Sequence, residues 1–282
     1  MSSLPMSPGF PPYRLRRYGG FWLPDMFLRG IAASHARFKP RPTDVILASF
    51  PKSGTTWLKA LSFLVLNRSA YPPTGVADHP LSHSNPHNLV FFLEANHGYY
   101  ERLPSPRLLA THLPYSLIPP MDGRIVYVGR DPKDTLVSLW HPHEKTTPEV
   151  LGVPDEDGPM TAMPTFEEVF EFFCHGEVVA GPSGSTRSRN LRTLVAFMGC
   201  PFSPEEEAAG VVRQLVELCS LESLKGMQVN RGGSTTMGIK NEAFFRNGGA
   251  GDWSSCMTPA MAAQLDKLVS EALKGSTLSF AT

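Results

Sequence analysis

Three short apolar runs, each followed at once by polar residues, dominate the hydrophobic pattern of the chain. They cover residues 45–48, 107–111 and 124–128. Short, continuously apolar runs are typical of buried strands in a parallel sheet, because both faces of such a sheet are covered. Helical spacing of apolar residues follows the first run from Trp57 and the third run from Pro132. The pattern predicts an α/β fold in which helices flank a central parallel sheet.

Helical periodicity dominates the second half of the chain. Helices are predicted at 165–180, at about 190–198, at 204–218 and at 259–273. Residues 1–40 are rich in Pro, Gly and aromatic residues, show no sustained period and are expected to form a partly ordered amino-terminal leader. Residues 41–282 are expected to form one domain, since a single α/β domain can reach this length.

Two proline-rich stretches are predicted to be loops. Residues 70–90 contain four prolines and separate the first helix from the second strand, and residues 144–164 are rich in Pro and acidic residues. The apolar residues 91–93 are predicted to form a short helix before the second strand. Loops of this length often cover a ligand site in compact domains.

The composition excludes several classes of protein. Basic and acidic residues balance at 26 each, so the chain lacks the positive field of a nonspecific nucleic-acid binder. No segment approaches the roughly 18 apolar residues of a membrane span or the apolar core of a signal peptide, so we expect a cytosolic protein. The four cysteines are widely spaced without a zinc-site pattern, so we expect reduced thiols and no metal. No segment indicates an oligomeric state.

The segment ASFPKSGTTWLKA at 48–60 joins the first strand to the first helix and is the clearest candidate binding site. The first amides of a helix lack internal partners and carry the positive end of the helix dipole, so they favour an anion. Gly54 permits close backbone approach. We expect a phosphate or sulfate here; the alternative is a capped helix with a surface lysine. Lys52, His112 and Arg130 each follow a predicted strand, which places them at the sheet edge where parallel sheets bind ligands.

Four motifs in order along the chain resemble the soluble, cytosolic sulfotransferases, particularly their plant flavonol- and steroid-type branch. They are SFPKSGTTW at 49–57, ATHLPY at 110–115, YVGRDPKDTLVSLWH at 127–141 and FFRNGGAGDW at 244–253. The resemblance implies a P-loop-like three-layer fold. It also implies that the donor 3′-phosphoadenosine 5′-phosphosulfate (PAPS) passes its sulfuryl group to a hydroxyl of a small acceptor, such as a flavonoid, a steroid or another phenol or alcohol, without a metal.

The resemblance assigns roles to individual residues. His112 would be the general base that takes the acceptor's proton, and Lys52 would neutralise charge on the leaving phosphate oxygen. The donor-binding residues that the family's motifs imply are Lys52, Ser53, Gly54, Thr55, Thr56, Trp57, Arg130, Ser138, Ser220, Arg246, Asn247 and Gly248. Without the motifs, His112 would be a structural hydrogen-bonding group, Arg130 an exposed capping arginine and Ser138 an inert helical serine.

The chain departs from the family's pattern in three places. Asn247 stands where the family has a lysine, which removes one cationic contact to the donor's 3′-phosphate. The triplet Cys219–Leu221 replaces a Thr-Ser-Phe-like triplet near the adenine and lacks its aromatic ring. Near residues 181–190 a further helix and a buried strand carrying a Tyr-Glu-type motif are missing, a loss of a few dozen residues. The fold is therefore expected to lack one strand.

Two other functions compete with an active sulfotransferase. The missing segment and Asn247 favour a catalytically inactive homologue that at most binds the nucleotide. A kinase is disfavoured, because Lys52 precedes the glycine of the loop and no predicted strand supplies a residue to hold magnesium.

Overall fold

The computed structural model describes residues 3–7, 14–74, 78–95, 99–143, 164–177, 191–235, 238–246 and 248–275. Its strands are β1 (Met6–Ser7), β2 (Leu15–Tyr18), β3 (Phe21–Pro24), β4 (Val45–Ser49), β5 (Leu108–Thr111) and β6 (Arg124–Val128). Its helices are α1 (Asp25–Arg37), α2 (Thr55–Asn67), α3 (Pro80–His83), α4 (Pro86–Leu89), α5 (Pro132–His143), α6 (Phe166–Cys174), α7 (Leu191–Phe197), α8 (Pro204–Ala208), α9 (Val211–Leu218), α10 (Leu221–Gly226), α11 (Gln228–Arg231) and α12 (Pro259–Ala272).

A parallel sheet in the order β5-β4-β6 forms the centre of the fold. Val45 of β4 pairs in register with Leu108 of β5 on one side and with Arg124 of β6 on the other. All residues of β4 and β5 are buried, whereas every residue of β6 is only half-buried. The three apolar runs are thus confirmed as parallel strands, and their carboxyl ends meet at one edge.

Helices cover both faces of this sheet, which confirms the three-layer arrangement. Ile46 and Ala48 of β4 share a buried cluster with residues of α1, α5, α6 and α12. Val45 and Leu47 point to the opposite face and pack with residues of α2, α7, α9 and α10. Complete burial of one such aliphatic side chain contributes about 1.5–3 kcal/mol, so both layers stabilise the central strand.

The amino-terminal region carries regular structure that apolar periodicity did not reveal. Strands β1, β2 and β3 form an antiparallel sheet, and α1 follows directly. Gly19 and Gly20 join β2 to β3 with φ angles of 58° and 90°. A Gly-Gly pair with positive φ is a strong hairpin signal, because two-residue hairpin turns of this kind need left-handed backbone. Leu15 and Leu23 from the two strands are buried.

The segment before β5 differs from the prediction. Residues 91–93 are not a helix, since Phe92 forms a parallel bridge with Ala110 of β5. Two short helices, α3 and α4, instead lie within the predicted loop at 70–90. Each begins with a proline after a residue whose side chain caps the helix, His79 before α3 and Asn85 before α4.

The four helices predicted in the second half of the chain are present with changed boundaries, as α6, as α7, as α8 with α9, and as α12. Gly210 takes a left-handed φ of 72° and divides the predicted helix at 204–218 into α8 and α9. Thr165 and Glu168 form the capping box that begins α6. Helices α10 and α11 were not predicted. Residues 144–163 of the second predicted loop, and residues 181–190 at the predicted missing segment, lie outside the described residues.

Candidate active site

The loop between β4 and α2 has an unusual backbone. Lys52 has a φ of 66° and Gly54 a φ of 101°, so both residues lie in the left-handed region. This conformation costs glycine little, but it is strained for lysine, and such strain clusters at functional sites. Among the described residues, apart from those adjacent to Gly54 in the chain, no atom lies within 4 Å of a Cβ built on Gly54, which leaves open space beside the start of α2. The loop therefore offers the first amides of a long helix to an anion.

The hydroxyl groups of the loop are partly satisfied from within. The Oγ atom of Ser49 and the Oγ1 atom of Thr55 lie 2.7 Å apart. The Oγ atom of Ser53, by contrast, is buried and has no hydrogen-bond partner among the described residues. An unpartnered buried polar atom costs about 1–3 kcal/mol. A ligand oxygen that bonds to Ser53 would remove that cost.

Three cationic side chains meet at this loop. Arg130 donates hydrogen bonds to the carbonyl oxygens of Lys52, at 3.4 Å, and of Gly249, at 2.7 Å. Arg246 forms an ion pair with Asp252, and its Nε atom is buried without a partner in the described part of the chain. Burial, followed by repulsion from Arg246 and Arg130, lowers the pKa of Lys52 to about 8. The potential at Lys52 is thus positive, which favours an anionic ligand.

Asp134 holds the last motif against α5. Its carboxylate accepts hydrogen bonds from the backbone amides of Gly251, at 2.9 Å, and of Trp253, at 3.2 Å. The same carboxylate lies 3.7 Å from Arg130. Asp134 is buried, so it is a structural charge that fixes the loop around Gly249 beside Arg130. The Gly-Asp-Trp part of the motif therefore has a positioning role.

His112 follows β5 in an orientation that suits a base. Its Nδ1 atom lies 2.7 Å from the carbonyl oxygen of Ser49. A carbonyl only accepts hydrogen bonds, so the neutral ring carries its proton on Nδ1 and leaves the lone pair on Nε2. Burial, reinforced by the nearby Lys59 ammonium, lowers the pKa of His112 to about 4, against the smaller effect of the Ser49 hydrogen bond. The ring is therefore neutral at cytosolic pH.

Glu94 fixes the strand end that carries His112. Its carboxylate accepts hydrogen bonds from Thr111 Oγ1, at 2.8 Å, and from the backbone amide of His112, at 2.7 Å. Burial raises the pKa of Glu94, while these hydrogen bonds oppose the rise. Sequence reasoning missed this residue, since the segment before it was predicted to be a helix. A carboxylate within the apolar run FFLE was the available signal.

The other predicted donor-binding residues lie around this centre. Ser138 is 7% exposed on α5, two turns after Arg130. Trp57 is 44% exposed on the first turn of α2. Ser220 caps α10, and Leu221 beside it packs so closely on Gly248 that a Cβ there would lie 2.6 Å from its side chain. Asn247 lies outside the described residues. The contacts join the loop after β4 with His112, Arg130 and the segment around Gly248.

The described residues hold no group of three or more His, Cys, Asp and Glu side chains arranged to bind a metal ion. None of the helices in the described ranges has the length and apolar character needed to cross a membrane.

The family model for the sulfotransferase domain matches residues 42–185 and 185–277. Cytosolic sulfotransferase 5 and cytosolic sulfotransferase 8 of Arabidopsis thaliana are 36% and 37% identical to the chain, and each alignment covers 99% of it and 95% and 91% of the respective relative. The names of these relatives agree with the cytosolic location expected from the sequence. The alignment with cytosolic sulfotransferase 5 has 318 positions and the chain has 282 residues, so at least 36 positions lack a residue of this chain.

Solved structures share the fold. The crystal structure of an Arabidopsis thaliana sulphotransferase matches with a TM-score of 0.70 at 30% identity, over 99% of this chain and 93% of that one. Mouse sulfotransferase SULT7A1 complexed with PAP matches with a TM-score of 0.63 at 22% identity, over 93% and 96% of the two chains. The two family matches meet at residue 185, which agrees with the missing segment that the sequence predicts near 181–190.

Proposed function

The chain belongs to the sulfotransferase family, and on that premise we propose that it transfers a sulfuryl group from PAPS to a hydroxyl of a small acceptor in the cytosol. One observation carries the proposal. A neutral His112 and the cationic side chains of Lys52, Arg130 and Arg246 surround the strained loop at the start of α2. A general base beside an anion site is what sulfuryl transfer to a hydroxyl requires.

The donor would lie along the loop and the start of α5. Its 5′-phosphosulfate would contact the amides and hydroxyls of residues 53–56, where the buried Ser53 hydroxyl lacks a partner within the described chain. The residues proposed to hold its 3′-phosphate are Arg130, Ser138, Arg246, Asn247 and Gly248. Trp57 and Ser220 are proposed to contact the adenine. The Nε atom of Arg246, which has no hydrogen-bond partner among the residues that the structure describes, supports this placement.

The chain's own residues would manage protons and charge. His112 Nε2 would accept the proton of the acceptor hydroxyl, and that oxygen would bond to sulfur. When bound, PAPS supplies the sulfuryl group, whose bond to the phosphate oxygen breaks in the transfer. Lys52, with its pKa near 8, would be an ammonium at neutral pH and would stabilise the negative charge on that oxygen.

The acceptor is proposed to be a flavonoid, a steroid or another phenol or alcohol. The ring of His112 packs against the buried ring of Phe92, with centroids 4.6 Å apart, so the base itself lies in an apolar environment. Such an environment suits a mainly apolar molecule that presents one hydroxyl.

A catalytically inactive homologue that at most binds the nucleotide is the second candidate. The alignment positions that have no residue in this chain favour an inactive homologue. The burial of β6 favours it too, because β6 is only half-buried whereas all residues of β4 and β5 are buried. Replacement of the family's lysine by Asn247 would weaken donor affinity further, since a charge-assisted contact contributes about 1.5–3 kcal/mol.

Calorimetric titration with adenosine 3′,5′-bisphosphate (PAP), the expected product, tests the donor site. We expect micromolar binding to the wild type and at least tenfold weaker binding to Lys52→Ala and Arg130→Ala, because each loses a charge-assisted contact of about 1.5–3 kcal/mol. Lys267→Ala on the exposed face of α12 is the matched control and should bind as the wild type does. A folded wild type that does not bind PAP would overturn the proposed donor site.

A further inference from the structure

Three side chains beside the loop form a continuous chain of contacts. Thr56 Oγ1 lies 2.8 Å from Nε2 of His87, and Nδ1 of His87 lies 3.2 Å from Nζ of Lys59. Lys59 is completely buried. Thr56 belongs to the proposed donor site, whereas the proposed function uses neither His87 nor Lys59. A buried lysine and histidine that contact a ligand-binding hydroxyl require an explanation.

His87 is held in place and neutral. Its ring stacks on Phe244, with centroids 4.1 Å apart, and on Phe92, with centroids 5.7 Å apart. Burial lowers the pKa of His87 well below its ordinary value, and the cationic Lys59 and Lys52 and the ring of His112 lower it further. A neutral imidazole has one N–H donor and one acceptor nitrogen, so its two hydrogen bonds run in one direction.

Lys59 determines that direction. Its Nζ atom lies 3.3 Å from the centroid of the Phe92 ring, the position of a cation over an aromatic face. Burial lowers the pKa of Lys59 well below its ordinary value, and attraction to Glu94 opposes that effect. The Phe92 ring face and the Glu94 carboxyl group favour the ammonium form of Lys59 at this position. An ammonium only donates hydrogen bonds. When Lys59 donates to Nδ1, the ring proton is on Nε2, and Nε2 donates to Thr56.

The consequence lies at the hydroxyl of Thr56. Its oxygen accepts from His87, so its own hydrogen is free to bond elsewhere. Thr56 is on the first turn of α2, next to the amides that favour an anion. In the reverse direction the Thr56 hydrogen would point to His87 and would be lost to a ligand.

We propose that Lys59 and His87 are positioning residues that hold the Thr56 hydroxyl as a hydrogen-bond donor to the anionic 5′ group of the nucleotide. The inference rests on the proposed function and extends it to side chains that do not touch the donor. Thr56 is the contact residue, and the other two act through it.

A double-mutant cycle measured by calorimetry with PAP tests the inference. Thr56→Val should weaken PAP binding about tenfold, as expected for one charge-assisted hydrogen bond. His87→Phe retains an aromatic ring and removes the N–H, and it should weaken binding at least threefold. In the Thr56→Val background, His87→Phe should cause no further loss, because His87 acts through the hydroxyl that is already absent.

Two further variants separate positioning from packing. His87→Gln offers an amide N–H near the position of Nε2 and should recover most of the affinity. Lys59→Met removes the donor to Nδ1 and should weaken PAP binding in the otherwise wild-type protein. In the Thr56→Val background, Lys59→Met should cause no further loss of PAP affinity. His83→Phe on the exposed end of α3 is the matched control, with unchanged affinity expected.

The outcomes are distinct. Full additivity of His87→Phe and Thr56→Val, or unchanged affinity in a folded His87→Phe variant, would overturn the inference while the wild type still binds PAP. No PAP binding by the folded wild type would overturn the proposed function and this inference together.

Discussion

At the scale of single residues, burial sets the protonation of the two groups that carry the proposed chemistry. The pKa of His112 is lowered to about 4, so its ring is a neutral proton acceptor at all pH values above that. The pKa of Lys52 is lowered to about 8, so its ammonium form persists at neutral pH and is lost as the pH rises. The two pKa shifts define a wide pH range, from about 4 to about 8, in which His112 is neutral and Lys52 is charged.

The pH dependence of kcat/KM should reflect these values. We expect a level profile that falls below about pH 4 and above about pH 8, because kcat/KM reports the ionisations of the free enzyme. The measurement is a kcat/KM series with labelled donor. Lys52→Arg should remove the upper limb, since arginine does not lose its proton in this range. An acidic limb near pH 6.5, the ordinary histidine value, would contradict the account.

The sequence predicted the motif residues better than the residues that support them. The loop residues, His112 and Arg130 lie in motifs, and parallel strands bring their carboxyl ends to one edge, so their approach follows from topology. Glu94 and His87 lie in no motif that was recognised, and Lys59 was given no role although it lies within the segment at 48–60. A single buried charge has no period, so neither hydrophobic pattern nor helical spacing reveals it.

At the scale of elements, the start of α2 depends on the conformation of Gly54. Its φ of 101° is one that side chains with a Cβ rarely adopt, although a methyl group there would meet none of the other described residues within 4 Å, its chain neighbours aside. Strain and collision can therefore be separated at this position. Gly226 in α10 also has open space around its Cβ position, and its φ lies outside the left-handed range, so it is a matched control.

Gly54→Ala should destabilise the fold by about 1–2 kcal/mol and weaken PAP binding, because alanine pays for the left-handed backbone and moves the first amides of α2. Gly226→Ala should be neutral or stabilising by up to about 1 kcal/mol, as expected for alanine in a helix. Urea denaturation and calorimetry measure the two effects. Equal stability changes in both variants would contradict the conformational explanation.

Elements with a strong apolar pattern were predicted, whereas the hairpin at Gly19–Gly20 and the short helices α3 and α4, which have only local turn or capping signals, were not. Strands β4, β5 and β6 follow from continuous apolar runs, and α5 follows from Pro132 at its first position. Proline at 80 and 86 was interpreted as a sign of a loop, although a capping residue precedes each and begins a helix. Local capping chemistry prevails over proline's general preference for loops at these positions.

At the scale of the whole molecule, the chain retains the layers and the motifs of its family with fewer residues. At least 36 positions of a relative's alignment have no residue here, yet helices still cover both faces of the parallel sheet. The resemblance made this loss predictable, because the helix and strand that the family has after residue 181 are missing from the sequence near 181–190. Its effect on activity was not predictable, because it depends on whether the remaining donor contacts suffice.

The most direct test of the central claim is transfer of label from ³⁵S-PAPS to a panel containing a flavonol, a simple phenol and a steroid alcohol. We predict a sulfated product with the wild type, a rate at least about a hundredfold lower with His112→Ala, and an unchanged rate with His175→Ala at the exposed end of α6. PAP affinity should stay within about twofold in both variants, since neither residue is proposed to bind the nucleotide. A folded wild type that binds PAP and sulfates none of the acceptors, or a His112→Ala variant as fast as the wild type, would contradict the account.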